Sequence, residues 1–124
     1  MASGWYVRGL TDCLGGTVDL DTSVVKIMLV GTGYTFDKSH TVVDNGGNDA
    51  TDPSFNEIVA TNYTVGYGGA GRKTATVTIT TNQTDDRADV SFTDLTWTAL
   101  GGAANDTVGG AILIFETGGA DTTA

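Results

Sequence analysis

The chain has 124 residues, with 15 acidic against six basic side chains and a net charge of −9. That length suits one domain with a real core, and the charge opposes binding to nucleic-acid phosphates or anionic membrane surfaces. It favours solubility, or docking onto a basic patch of a partner; the acids are scattered, as on a solvated surface. Cys13 is the only cysteine, which excludes an intrachain disulfide and a cysteine metal cluster. Its expected state is a buried thiol acting as a small hydrophobe. No basic start followed by an apolar stretch is visible, so no secretory signal is expected. The Asn-x-Thr triplets at Asn62, Asn82 and Asn105 then read as chance matches in a threonine-rich chain.

The 18 glycines and many threonines predict short strands and tight turns rather than a helical bundle. One helix is expected, over Ser3–Leu14. Ser3 caps it, Trp5, Leu10, Cys13 and Leu14 share an apolar face, and Gly15-Gly16 ends it. A helix this short must dock its aromatic face, either on its own sheet or, through Trp5 and Tyr6, on a neighbouring subunit.

Val24–Val30 is apolar at almost every position and rich in β-branched residues. It predicts a central strand covered on both faces. Ala111–Phe115 has the same character, and the two are expected in one sheet, side by side. Ile27, Leu29, Leu113 and Phe115 are the predicted core.

Between Thr32 and Asn56 the chain is polar and reads as an exposed loop with a short strand around Thr41–Val43. A further short strand is expected within Ile58–Tyr67. Thr74–Thr80 alternates, with Ala75, Val77 and Ile79 on one face and Thr74, Thr76, Thr78 and Thr80 on the other. After a turn at Asn82–Asp86 comes a strand with Ala88, Val90 and Phe92 on one face. Its phase then slips to Leu95 and Trp97, which calls for a bulge or bend near Thr93-Asp94. With no second helix between strands, parallel crossovers are not expected. The fold predicted is mainly β: a single β-rich domain over residues 1–124, as a small antiparallel β-sandwich or partial barrel of five to seven strands with one short N-terminal helix. Residues 1–16 form its helical segment and residues 118–124 a flexible tail.

No pattern marks an active site. Gly66-Tyr67-Gly68-Gly69-Ala70-Gly71 matches G-x-G-x-x-G, but a strand pattern follows where a dinucleotide site needs a helix. It reads as a flexible turn, with Arg72 and Lys73 as a small basic spot able to meet an acidic surface. His40 stands alone. The oxygen donors Asp44, Asn45, Asn48, Asp49 and Asp52 suit calcium chemistry but lack EF-hand spacing, so a solvated turn is the better reading. The chain is expected to be non-enzymatic, with no catalytic residues, no cofactor and no metal. Its expected interface residues are Trp5, Tyr6, Arg72, Lys73, Thr76 and Thr78.

The order of motifs carries a resemblance. Ser3-Gly4-Trp5-Tyr6-Val7-Arg8-Gly9-Leu10 leads through Gly15-Gly16-Thr17-Val18-Asp19-Leu20 into Val25–Val30. Gly33-Tyr34-Thr35-Phe36-Asp37-Lys38, Asn56-Glu57-Ile58, Asp94-Leu95-Thr96-Trp97 and Ala111–Phe115 follow. This resembles a group of small virion structural proteins of tailed bacteriophages. The resemblance implies a structural role in the particle, first as a capsid decoration or cement protein on the outer surface of the phage head, made in the host cytoplasm. Its implied partners are the major capsid protein and itself, a homo-oligomer such as a trimer at lattice three-folds, with no nucleic acid and no membrane. Chains of the group run on past Ala111–Phe115 into further apolar strands. The implied alternatives here are a sheet completed differently or an edge supplied by a neighbouring subunit. Placement in the tail, neck or a fibre, with Tyr63 and Tyr67 meeting the host, is the second reading. A phage-encoded enzyme or small carbohydrate-binding module is the third, and it needs a concave aromatic or acidic cluster that the sequence does not display.

Overall fold

The computed structural model describes residues 3–46, 49–102, 106–116 and 119–121. In chain order the elements are helix α1 (Val7–Leu14) and strands β1 (Val25–Gly31), β2 (Lys73–Ala75), β3 (Val77–Asn82), β4 (Arg87–Phe92) and β5 (Val108–Phe115). A 3₁₀ turn spans Ser54–Asn56. The fold is mainly β and small-sandwich-like, with two antiparallel sheets: β2-β1-β5, and the ribbon β3-β4.

β1 is central, as its continuous apolar run predicts. β5 pairs with it antiparallel from Val25↔Phe115 to Val30↔Gly110. The register then shifts, Gly31 lies opposite Val108, and Gly109 is left as a bulge. Only glycine fits there: a Cβ on Gly109 would stand 2.6 Å from the Gly31 carbonyl oxygen.

Side chains from β1 feed two clusters, one on each face of the sheet, and β5 contributes to the first. Met28, Val30, Ile112 and Ile114 pack with Tyr34 and Val43, and Tyr6 and Phe36 close over them. On the opposite face Leu29 packs with Ile58 and Tyr63, edged by Trp97 and Leu100. Met28, Val30, Val25 and Ile58 are fully buried. Of the predicted core, Leu29 is buried, but Ile27, Leu113 and Phe115 are only half-buried. The reason is coverage. β5 is an edge strand and β2 is three residues long, so the second face is roofed less completely than the first.

The β1–β2 ladder stops at Ile27↔Lys73. The next β1 residue facing that side is Leu29, and irregular chain completes its hydrogen bonding. The Tyr63 hydroxyl accepts from the Leu29 N–H at 3.0 Å, and the Ile58 N–H donates to the Leu29 carbonyl at 3.1 Å. The expected strand in Ile58–Tyr67 is therefore absent; only isolated bridges occur there, such as Ala60↔Tyr63. Thr41–Val43 is likewise not a strand, although Val43 is buried in the core.

The single strand expected over Thr74–Thr80 is split at Thr76, and its halves join different sheets as β2 and β3. In the ribbon, Val77 pairs with Phe92, Ile79 with Val90 and Asn82 with Arg87. Near Thr93-Asp94, where a bulge or bend was expected, β4 ends at Phe92 instead: the Thr93 N–H donates to the Thr76 carbonyl at 3.0 Å, and the Thr76 N–H to Thr93 Oγ1 at 3.1 Å. Leu95 and Trp97 then follow on irregular chain. The helix is also shorter than expected. Tyr6, not Ser3, occupies the N-cap position, and no side chain caps it.

Burial sets the expected cost of truncation. Met28→Ala should lower unfolding stability by about 2–5 kcal/mol, whereas half-buried Leu113→Ala should cost roughly half as much. Urea unfolding followed by circular dichroism would order the two variants.

Candidate functional site

The most concentrated polar chemistry in the molecule is buried. Arg72, immediately before β2, has no exposed side-chain surface, and Glu57 has almost none. Nε of Arg72 donates to Glu57 Oε1 at 2.9 Å and one terminal nitrogen to Glu57 Oε2 at 2.6 Å, a bidentate pair. The terminal nitrogens also meet both carboxylate oxygens of Asp121, the second at 3.0 Å. Glu116 lies beside them, 4.0 Å from the guanidinium, and pairs with Lys26 Nζ at 2.5 Å. The Tyr63 hydroxyl donates to Glu57 Oε1 at 3.0 Å, so the hydroxyl that completes the β1 ladder belongs to the same network. Burial opposes the charge on Arg72, but hydrogen bonding to Glu57 and Asp121 outweighs it and raises its pKa. Burial, with the Glu57 charge adding to it, pushes the Tyr63 phenol well up as well. Every strong donor of the guanidinium faces a carboxylate of its own chain. The cluster is a cross-link, in which Glu116 Oε1 is buried without a hydrogen-bond partner among the described residues.

Arg72 is thus not the surface basic spot expected from sequence. Lys73 is half-buried: its ammonium donates to the Thr96 carbonyl and lies 5.5 Å from the centre of the Trp97 ring. Trp97 in turn donates from Nε1 to the Gly71 carbonyl at 2.6 Å. Tyr6 is half-buried as well. Its ring packs on Phe36 at 4.9 Å, and its hydroxyl meets the Tyr34 hydroxyl at 2.5 Å. Burial, then that hydrogen bond, raises its pKa. Trp5, Thr76 and Thr78 are exposed, and the structure does not gather the six expected interface residues into one patch.

The glycine-rich turn from Gly66 to Gly71 leads into β2 and opens no helix. Glu57 Oε2 accepts from the Gly66 N–H at 3.0 Å, so the protein's own carboxylate occupies a position that a bound phosphate would take. In the acidic loop the carboxylates serve local turns. Asp44 accepts from the Gly46 N–H, Asp49 from Thr51, and buried Asp52 from the Asn45 N–H. Asn48 lies outside the described residues. Among the described residues no group of three metal-ligating side chains is present. The expected tail falls partly outside the described residues too, but Asp121 is tied down by Arg72, and its carbonyl accepts from the Asp44 N–H at 3.1 Å.

What the surface does offer is apolar. Helix α1 buries no residue. Val7, Leu10 and Leu14, at i, i+3 and i+7, form one stripe at 57%, 43% and 81% exposure, and Trp5 extends it. Cys13, beside that stripe, is half-buried, and burial followed by the Asp12 charge raises its thiol pKa, which lowers its reactivity. The ribbon shows a second such face. Ile79, Val90 and Phe92 share one side of the β3–β4 pair and are each about two-fifths exposed. A two-stranded ribbon is marginal alone, and this face is partly covered, since Val77 on the same side is buried.

The chain matches no family model, and no curated protein or solved structure is significantly similar to it. Among the described residues no helix is long and apolar enough to cross a membrane.

The ion network was not legible in the sequence. Glu57 is 15 residues and Asp121 49 residues from Arg72, with no spacing rule connecting them. Arg72→Met should destabilise the fold by about 3–5 kcal/mol, because it leaves Glu57 buried without its cation. Tyr63→Phe should cost about 1–3 kcal/mol by orphaning the Leu29 N–H. Chemical unfolding of both variants checks the order.

Proposed function

We propose that this protein is a non-enzymatic structural component of a tailed-phage virion. In this reading it is a decoration or cement protein that binds the outside of the head and stabilises contacts between major capsid subunits. The observation that carries the reading is the pair of exposed apolar patches, on α1 and on part of the β3–β4 ribbon. Contiguous apolar surface rimmed by polar residues marks an interaction site. Trp5 is the natural anchor on the helix, since large aromatic side chains dominate interface energetics, and Phe92 on the ribbon. The resemblance of the motif order to small phage virion proteins supplies the context.

A pressurised shell is held by many modest contacts, and each copy bridging two subunits adds to the barrier against rupture. The charge of −9 would speed docking on a locally basic outer face of the shell, an effect that salt weakens. The two faces lie on separate elements, so one copy can touch two neighbours at once.

The test adds purified protein to expanded heads that lack it, counts bound copies and then heats the particles. Binding at a fixed ratio to capsid subunits, with a raised disruption temperature, is expected. The double variants Trp5→Ser/Leu14→Ser and Ile79→Ser/Phe92→Ser should each weaken binding about tenfold or more while leaving the core clusters intact. Location of the protein to the tail or neck, or binding without stabilisation, would replace the cement reading with the tail reading.

A further inference from the structure

Among the described residues, nothing pairs with the outer edge of β5. Leu29 directs its N–H and carbonyl away from β5, to Tyr63 and Ile58. Antiparallel pairing alternates, so Met28 and its even-numbered neighbours bond to β5 through Ile112, Ile114 and Gly110. Ala111, Leu113 and Phe115 therefore point their N–H and carbonyl groups outward. Among the described residues no backbone group bonds to them on that side.

Sheets normally protect such edges with short strands, charges, proline or a covering loop. Two of the other edges in this protein are protected in this way, while β3, six residues without charge or proline, is not. β2 is three residues long and carries Lys73, and β4 carries Arg87 and Asp89. β5 is eight residues long, and no charged residue or proline occurs from Thr107 to Phe115. Ala111 is exposed, and Leu113 and Phe115 are half-buried, as expected where a neighbouring strand is lacking.

We infer that this edge pairs with the same edge of a second copy, antiparallel and centred on Leu113, to make one continuous six-stranded sheet across a two-fold axis. The edge is its own complement. Outward groups at 111, 113 and 115 are symmetric about 113, so Ala111 meets Phe115, Leu113 meets Leu113, and all six outward groups of each strand find partners. The large Phe115 side chain lies next to the small Ala111. Glu116 falls opposite Gly110, so no like charges face each other across the seam, although each copy carries a charge of −9. The paired stretch from Gly110 to Glu116 is about 24 Å long, and it would bury an area near the lower end for a specific interface, so association should depend on concentration. The inference does not rest on the virion reading: it concerns a different surface from α1 and the ribbon, and it stands or falls in solution.

Sedimentation equilibrium of the purified protein should show a monomer–dimer equilibrium. Leu113→Lys and Leu113→Glu place like charges opposite each other at the two-fold axis. Each alone should dimerise about tenfold or more weakly, and an equimolar mixture of the two should recover dimer. Amide hydrogen exchange of the unmodified protein gives an independent reading should either variant fold poorly. The N–H groups of Ala111, Leu113 and Phe115 should be protected at high concentration and exposed at low concentration, while those of Ile112 and Ile114 stay protected at both. A protein that remains monomeric, a dimer indifferent to both Leu113 variants, or exchange at these three amides that does not change with concentration would overturn the inference. So would protection that appears only when another protein is added.

Discussion

A single guanidinium ties two segments from outside the strands to the start of β2. Arg72 sits where β2 begins and binds Glu57 from the segment beside β1 and Asp121 from the C-terminal region. A buried arginine with several carboxylates is not a strong source of net stability, because desolvation offsets most of the attraction. Its effect is geometric. The planar fork accepts few arrangements of carboxylate partners, so it positions three distant segments against one sheet. The Tyr63 hydroxyl extends that constraint into the β1 backbone through the Leu29 N–H.

This arrangement explains how a chain with so few paired strands keeps two faces of β1 covered. β2 supplies only a three-residue ladder, yet the Leu29 peptide is fully hydrogen-bonded. The loop from Ser54 to Arg72 stands in for strand, with Ile58 and Tyr63 as its apolar contribution and the ion cluster as its fastening. Rigid loops fastened in this way leave the helix and the ribbon free of structural duty in the core. Both therefore present their apolar residues to the outside, which is the physical basis for reading the molecule as one that completes its packing on neighbours.

The surfaces differ in what they can recognise. The helix and ribbon offer side chains and suit a foreign protein with apolar pockets. The β5 edge offers backbone groups and suits another strand. A protein with both kinds of contact can join its own copies and also meet a foreign surface.

The sequence by itself determined the elements whose signal is local. Unbroken apolar runs between turn residues marked β1 and β5 as strands of one sheet, where they pair side by side. The alternation of threonine with Ala75, Val77 and Ile79 marked extended chain, and glycine placement marked the turns. Only tertiary structure decided which sheet each half of that extended stretch joins, since alternation is the same on both sides of Thr76. It also decided burial within β5. Leu113 and Ile114 are equally apolar, and their different exposure comes from what covers each face. Arg72 shows the limit most clearly. Next to Lys73 in an acidic chain it reads as a surface charge, and it becomes a buried cross-link only because folding brings Glu57 and Asp121 from 15 and 49 residues away. Charge pairing over such separations leaves no periodicity in the chain, so no local pattern could have announced it.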